Sequence, residues 1–256
     1  MIAVSLLVSL RKNSMKTFRG DFNFFLEKLK NKEPFSISRN NDGEMMILFD
    51  QFIDLRKKLN GEFLYDPKLE KSRLLREKLL ESAQYKDDNY YVGIACRCCV
   101  NDANHAALKL ITGLDDDHLT WGNIFVNGNY RNFVNQMVPL MSNYKVVMVV
   151  NEKAKISGLP FHDKIVRSYR VGTNAWDSDH DLIDRLTEWI KTENIENHLF
   201  LFAAGPFSNI LIHNAHKVSN KNTYLDIGST MDDMLNLGRT RGYLNGAETL
   251  NKICIW

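Results

Sequence analysis

The chain has 256 residues, of which 44% are hydrophobic and 25% charged, with five Pro and 14 Gly. This is long and apolar enough for a substantial core, and it excludes a disordered, collagenous or low-complexity chain. A formal net charge of +2 supplies no global field for nucleic acid or anionic lipid, so an anionic ligand would need a local site.

Residues 2–10 are apolar, but about ten residues are half of what a membrane-spanning helix needs. Arg11 and Lys12 follow this run instead of preceding it, so a secretory signal is not expected. Phe18, Phe22, Phe25, Leu26 and Leu29 recur at helical spacing and predict an amphipathic helix over 16–31, ending near Pro34. A short strand is expected at 35–38, a polar turn at 39–44 and a helix over 45–59. Pro67 opens a further helix carrying Leu69, Leu74, Leu75, Leu79 and Leu80, and 90–95 reads as a buried strand followed by a short helix at 103–111.

The second half alternates strands at 145–150, 165–171, 199–204 and 223–227 with helices at 182–191, 207–216 and 231–237. Such alternation predicts an α/β domain, Rossmann-like, with a largely parallel sheet flanked by helices. No repeat or long linker divides the chain, so one domain over 1–256 is expected. Residues 1–32 then form an N-terminal helical addition, and the tail over 238–256 carries no assignment.

Ligands of parallel sheets bind at the carboxyl ends of the strands. Three polar clusters fall at such ends: residues 39–44, residues 151–155, and the Gly205-Pro206 turn. Asp42 and Glu44, separated by one Gly, suit a hard divalent cation such as Mg²⁺ or Mn²⁺, and Arg39 suits a phosphate. A second reading makes Asp42 a helix cap and Glu44 a complement to the helix dipole. Gly205-Pro206 runs from a strand into a helix and leaves backbone N–H groups for a phosphate or ribose oxygen. The acidic clusters at 115–118 and 177–181 read as helix caps.

Four Cys, three of them at 96, 98 and 99, form neither a disulfide framework nor the C-x₂-C pairs of a zinc site, and read as buried thiols in a reducing cytosol. A reactive thiol beside Arg97 is the alternative. His213 and His216 read as a surface pair on one helix face, and no His has zinc-protease spacing. No G-x-S-x-G, Walker loop, G-x-G-x-x-G or RNP-like strand is present, which counts against the corresponding hydrolases, NTPases, oxidoreductases and RNA binders. Trp121, Tyr130 and Trp176 are either sugar-stacking or core aromatics.

Four segments taken together, residues 35–44, 171–176, 201–206 and 224–228, resemble in order the motifs of the GT-D-type glycosyltransferases, over about residues 33–237. The resemblance implies a GT-D-like fold and transfer of a sugar from a nucleotide sugar, most familiarly UDP-glucose, to a glycan or glycoprotein acceptor with a divalent metal. It places the family's Asp-x-Glu pair on Asp42 and Glu44, its Arg on Arg39, its Asn-Ala element on Asn174 and Ala175, and its Asp-Ile-Gly element on Asp226, Ile227 and Gly228. Asn174, Gly205, Pro206, Asp226 and Gly228 would then frame the donor. Two departures stand out: Asn40 and Asn41 replace an aromatic residue and Gly, and Ser229 replaces a His. The alternatives are a non-catalytic nucleotide or sugar-phosphate binding module, and a metal-dependent phosphohydrolase.

Overall fold

A computed structural model describes residues 16–56, 63–239, 241–245 and 250–256. The apolar run at 2–10 and part of the helix expected over 45–59 lie outside them. The chain forms α1 (Phe18–Lys30), β1 (Ser36–Asn40), α2 (Asp42–Leu48), β2 (Ile53–Asp54), β3 (Leu64–Tyr65), α3 (Glu70–Gln84), β4 (Tyr90–Ile94), α4 (Asp102–Thr112) and β5 (Leu119–Trp121). It continues through β6 (Lys145–Asn151), β7 (Ile165–Val171), α5 (Leu182–Thr192), β8 (His198–Phe202), α6 (Pro206–Val218) and β9 (Thr223–Asp226).

Seven strands form one sheet in the order β5-β4-β1-β9-β8-β6-β7, and every pairing in it is parallel. Each strand sends alternate side chains to opposite faces. Val147, Val149, Phe200, Phe202 and Tyr224 meet α3, α5 and α6 on one face. Val146, Met148, Val150, Leu199, Leu201 and Leu225 meet α1 and the 124–141 segment on the other. Burial on both faces explains why these strands read as apolar runs without alternation.

Helix α1 is no appendage. Phe22 and Phe25 have no exposed surface, and Phe25 stacks on Phe35 beside β1 with 5.4 Å between ring centroids. The Thr17 hydroxyl caps its first turn by accepting from Gly20 N–H at 3.1 Å, which satisfies one of the helix's unpaired donors.

Two expected elements differ and one strand is added. The helix expected over 45–59 stops at Leu48; Asp50 turns the chain at φ 58°, and Ile53–Asp54 pairs antiparallel with Leu64–Tyr65 as a small hairpin. The helix expected at 231–237 is a 3₁₀ turn over Gly228–Met231 followed by further turns. Strand β5 was not anticipated, because three residues are too few to show a period.

The pair read as a surface feature is internal: His213 and His216 are 4% and 2% exposed, with His213 against Tyr85 at 4.8 Å between ring centroids. Burial, reinforced by Lys217, holds His213 well below its ordinary pKa, at about 4. The folded state therefore keeps this imidazole neutral, whereas an unfolded chain protonates it near 6.5. Stability is fully present above pH 6.5 and falls as pH drops from there toward 4. His213→Leu is expected to flatten the denaturation midpoint across pH 4.5–7 relative to the unchanged protein, by an amount on the order of 2 kcal/mol; an unchanged slope would refute the assignment.

Candidate active site

The two halves of the sheet meet between β1 and β9. Strand β1 pairs with β4 along its whole length, from Ser36 to Asn40, but with β9 only at Ser36 and Ile37. Beyond Ile37 the sheet opens, leaving the β9-facing backbone of β1 without a ladder partner. An unpaired buried N–H or C=O is costly, and α6 supplies the remedy. Asn209, in the helix's first turn, accepts from Arg39 N–H at 2.8 Å and donates to Arg39 C=O at 3.1 Å. The Ser38 hydroxyl also donates to Asn209 Oδ1 at 2.8 Å. A side-chain amide thus stands in for a missing strand at the topological switch point, where open α/β sheets bind ligands.

The clasp holds Arg39 at the floor of the opening, 4% exposed. Its Nη2 donates to Asp226 Oδ1 at 3.4 Å and its Nη1 to Gly122 C=O at 3.3 Å. Its buried Nε has no partner among the described residues. Gly228 N–H donates to the same Asp226 oxygen at 2.9 Å. Gly228 adopts φ 45°, and a Cβ there would collide with Arg39 Nη2; only glycine permits both the turn and the close approach. Gly122 is equally constrained, since its Cβ would lie 2.6 Å from Asn41 Oδ1.

Asn40 and Asn41, the first departure from the GT-D pattern, stitch strand ends together. Asn40 Nδ2 donates to Gly93 C=O at 3.4 Å and Asn41 Nδ2 to Gly122 C=O at 3.1 Å. Asn41, not Asp42, is the N-cap of α2, and Glu44 reaches back to accept Asn41 N–H at 3.0 Å. Asp42 is exposed in the first helical turn. Glu44 keeps some access to solvent, but the protein around its carboxylate and the nearby Asp226 push its pKa up to about 7. Burial also raises Asp226, with Arg39 opposing the shift.

The second departure, Ser229, contacts the tail. Its hydroxyl lies 2.9 Å from the Tyr243 hydroxyl, and Tyr243 packs on Tyr130 with ring centroids 5.2 Å apart. Arg39, Glu44, Asp226 and Gly228 are therefore brought to one place, with Asp42 at its rim. Gly205, at φ 57°, and Pro206 open α6 after β8, on the same sheet edge. Asn174 follows β7, four strand positions from β1, and its amide is engaged by Asp177 at 2.9 Å. Trp121 and Trp176 are core residues, whereas Tyr130 is half-buried.

Sequence reasoning missed Asn209 and Tyr243. An Asn in the first turn of a helix, just ahead of the apolar Ile210-Leu211-Ile212 run, was the available signal for Asn209. A cleft of about 420 Å³, lined by Tyr85, Asp87, Lys191 and Lys217 among others, lies at the opposite, amino end of the strands, away from this cluster of buried charge.

No protein-family model and no curated protein matches the chain. Solved structures do. One described as a new glycosyltransferase (DUF1792) from Streptococcus sanguinis superimposes with a TM-score of 0.55 at 15% identity, over 86% of this chain and 85% of that one. A second, described as showing that the highly conserved domain of unknown function 1792 has a distinct glycosyltransferase fold, gives 0.51 at 16% identity over 82% and 77%. A selenomethionine form of a DUF1792 domain gives 0.52 at 14% identity over the same shares. The likeness is one of fold: this chain has the parallel α/β architecture of those domains, with an N-terminal helix against the sheet.

Two outcomes test the site's construction. Asn209→Ala removes three hydrogen bonds and strands buried groups of β1, at about 1–3 kcal/mol for each group left unsatisfied; denaturant unfolding should show a loss of at least about 2 kcal/mol. Glu44→Gln retains the capping arm but cannot ionise. Because the folded-state pKa of Glu44 is raised, unmodified protein in chelator should lose stability as pH rises from 4.5 through 7. Glu44→Gln should lack that part of the slope and be the more stable of the two above pH 7.

Proposed function

We propose that the protein is a glycosyltransferase using a nucleotide sugar, UDP-linked, with divalent-metal assistance and a glycan or glycoprotein acceptor, and that it works in the cytoplasm. One observation carries the reading: a buried Arg39, with an unpaired Nε and flanked by Glu44 and Asp226, sits at the switch point of a sheet whose fold matches domains described as having a glycosyltransferase fold. The described helices include none long and apolar enough to cross a membrane.

Asp42, Glu44 and Asp226 do not converge into a closed three-ligand cluster among the described residues. A two-carboxylate site completed by substrate phosphates is the arrangement Mg²⁺-like ions prefer. The residues fit such an ion: Asp42 is exposed, and Glu44, raised first by burial and then by the neighbouring Asp226, is a carboxylate whose charged form a cation would favour. Asp42 and Glu44 would hold it, and the cation would supply charge stabilisation at the diphosphate.

Breaking a sugar–diphosphate bond builds negative charge on the leaving group. Arg39, fixed before reaction by Asn209, Gly122 and Asp226, contributes a preorganised positive field beneath that position. Its two Nη groups are already engaged, so it acts from the floor of the site. Asp226 and Gly228 set its orientation, Gly205 and Pro206 present the α6 N-terminus toward the donor, and Tyr130 with Tyr243 forms an aromatic wall. Asn174 contributes at the far side, beyond β7.

Thermal unfolding with UDP, ADP or GDP, each with and without Mn²⁺, tests donor and metal together. Ligand at about 100 times its Kd adds roughly 2.7 kcal/mol, a rise on the order of 5–10 °C for a chain this size. UDP with Mn²⁺ is expected to raise the midpoint, and Asp42→Asn, an exposed change, to lose most of the rise. UDP-sugar turnover that requires a glycan acceptor would separate transfer from phosphohydrolysis. Absence of any nucleotide shift at millimolar concentration would overturn the proposal.

A further inference from the structure

The end of the described chain returns to the loop after β4. Arg97 N–H donates to Ile255 C=O at 3.1 Å, and Gly128 N–H to Lys252 C=O at 3.0 Å. These bonds bring Cys254 to the Cys96-Arg97-Cys98-Cys99 segment, where a single helical turn over Arg97–Val100 gathers the other three thiols. The four sulfur atoms all lie within 4.8 Å of one another, with Cys96 and Cys98 at 3.3 Å. All four are free cysteines; Cys96 and Cys254 are buried, while Cys98 and Cys99 are exposed. The cluster is therefore not the set of buried thiols that spacing suggested.

The surroundings donate to sulfur. Asn123 Nδ2 lies 2.8 Å from Cys254 Sγ, 3.4 Å from Cys96 Sγ and 3.6 Å from Cys99 Sγ. Asn127 Nδ2 adds a contact to Cys254 Sγ at 3.5 Å, and Lys252 Nζ one to Cys99 Sγ at 3.3 Å. Amide and ammonium donors ringed around sulfur are the outer shell that stabilises thiolate ligands. Four thiolates this close repel one another unless a cation lies among them.

We propose that Cys96, Cys98, Cys99 and Cys254 bind one Zn²⁺ in a tetrathiolate site. A tetrahedron with metal–sulfur bonds of about 2.3 Å has edges of about 3.8 Å, a spacing that a cluster with all sulfurs inside 4.8 Å reaches by small side-chain adjustments. Sulfur-only tetrahedral donors select zinc or iron over the hard ions that carboxylates prefer, so this site is chemically distinct from Asp42 and Glu44. Four protein ligands leave no open position, which makes the ion structural. Binding displaces the remaining thiol protons to solvent and pins the 252–256 segment to the β4–α4 loop. There Trp256 packs on Trp121 at 4.8 Å between ring centroids.

Metal analysis of the full chain, purified without a histidine tag, is expected to give one zinc per chain. Replacement by Co²⁺ should produce the thiolate charge-transfer and visible bands of a tetrahedral sulfur site. Cys254→Ser should lose stoichiometric zinc. Because that change also touches the core, Asn123→Ala provides a second variant, expected to keep the fold while weakening zinc roughly 10–100-fold in chelator competition. Chelation should lower the thermal midpoint, and zinc, but not Mg²⁺, should restore it. Four thiols that alkylate freely in the folded protein after zinc has been added, a disulfide found by mass spectrometry, or stoichiometric iron in place of zinc would each overturn the assignment. None of these readouts depends on nucleotide binding or sugar transfer.

Discussion

The structure turns on one substitution of partners: where β1 and β9 part company, the side chain of Asn209 takes over the hydrogen bonds that a neighbouring strand would have made to Arg39. A parallel sheet built from two halves must have such a parting, because loops from the two halves leave in different directions at their shared edge. Most folds fill it with solvent or ligand. Here the first turn of α6 inserts an amide, which fixes the depth at which Arg39 is buried and the direction in which its guanidinium points. Asp226 and Gly228 then follow as consequences, one as counter-charge and the other as the only residue type that leaves room.

The interior on either side supports that placement. Every residue of α6 from Phe207 to Ile212 is buried, so the helix cannot slide without breaking contacts to both α5 and the sheet. The Asn209 clasp therefore has the rigidity of the core behind it, which is what a preorganised charge requires. The fixed arrangement also buries carboxylates: Glu44 and Asp226 are both raised above their ordinary range chiefly by loss of water, with Asp226 adding to the shift of Glu44 and Arg39 opposing that of Asp226.

How much of this was legible in the sequence depended on the range of the signal. The strands of the second half announced themselves because burial on both faces makes them uninterrupted apolar runs, and α1 did so through its Phe spacing. Arg39, Glu44, Asp226 and Gly228 could be picked out as a resemblance, and they do come together. Three kinds of feature were not readable. The 45–59 apolar pattern mixes a short helix with a hairpin, and periodicity cannot separate them once Asp50 turns the chain. His213 and His216 are buried because Tyr85 and Tyr90 arrive from distant elements. Asn209 acts across 170 residues and Cys254 across 131, and no local spacing rule contains such pairs.

The tail connects these long-range features. Residues 122 and 123 are adjacent, yet they serve different centres: the Gly122 carbonyl accepts from Arg39 and Asn41, while the Asn123 amide donates to three of the four thiols. The same tail carries Tyr243 to Ser229 at the rim of the opening and Cys254 to the thiol cluster at the end of β4. The two centres therefore meet at a single peptide unit, with the Gly122 carbonyl on the Arg39 side and the Asn123 side chain on the sulfur side.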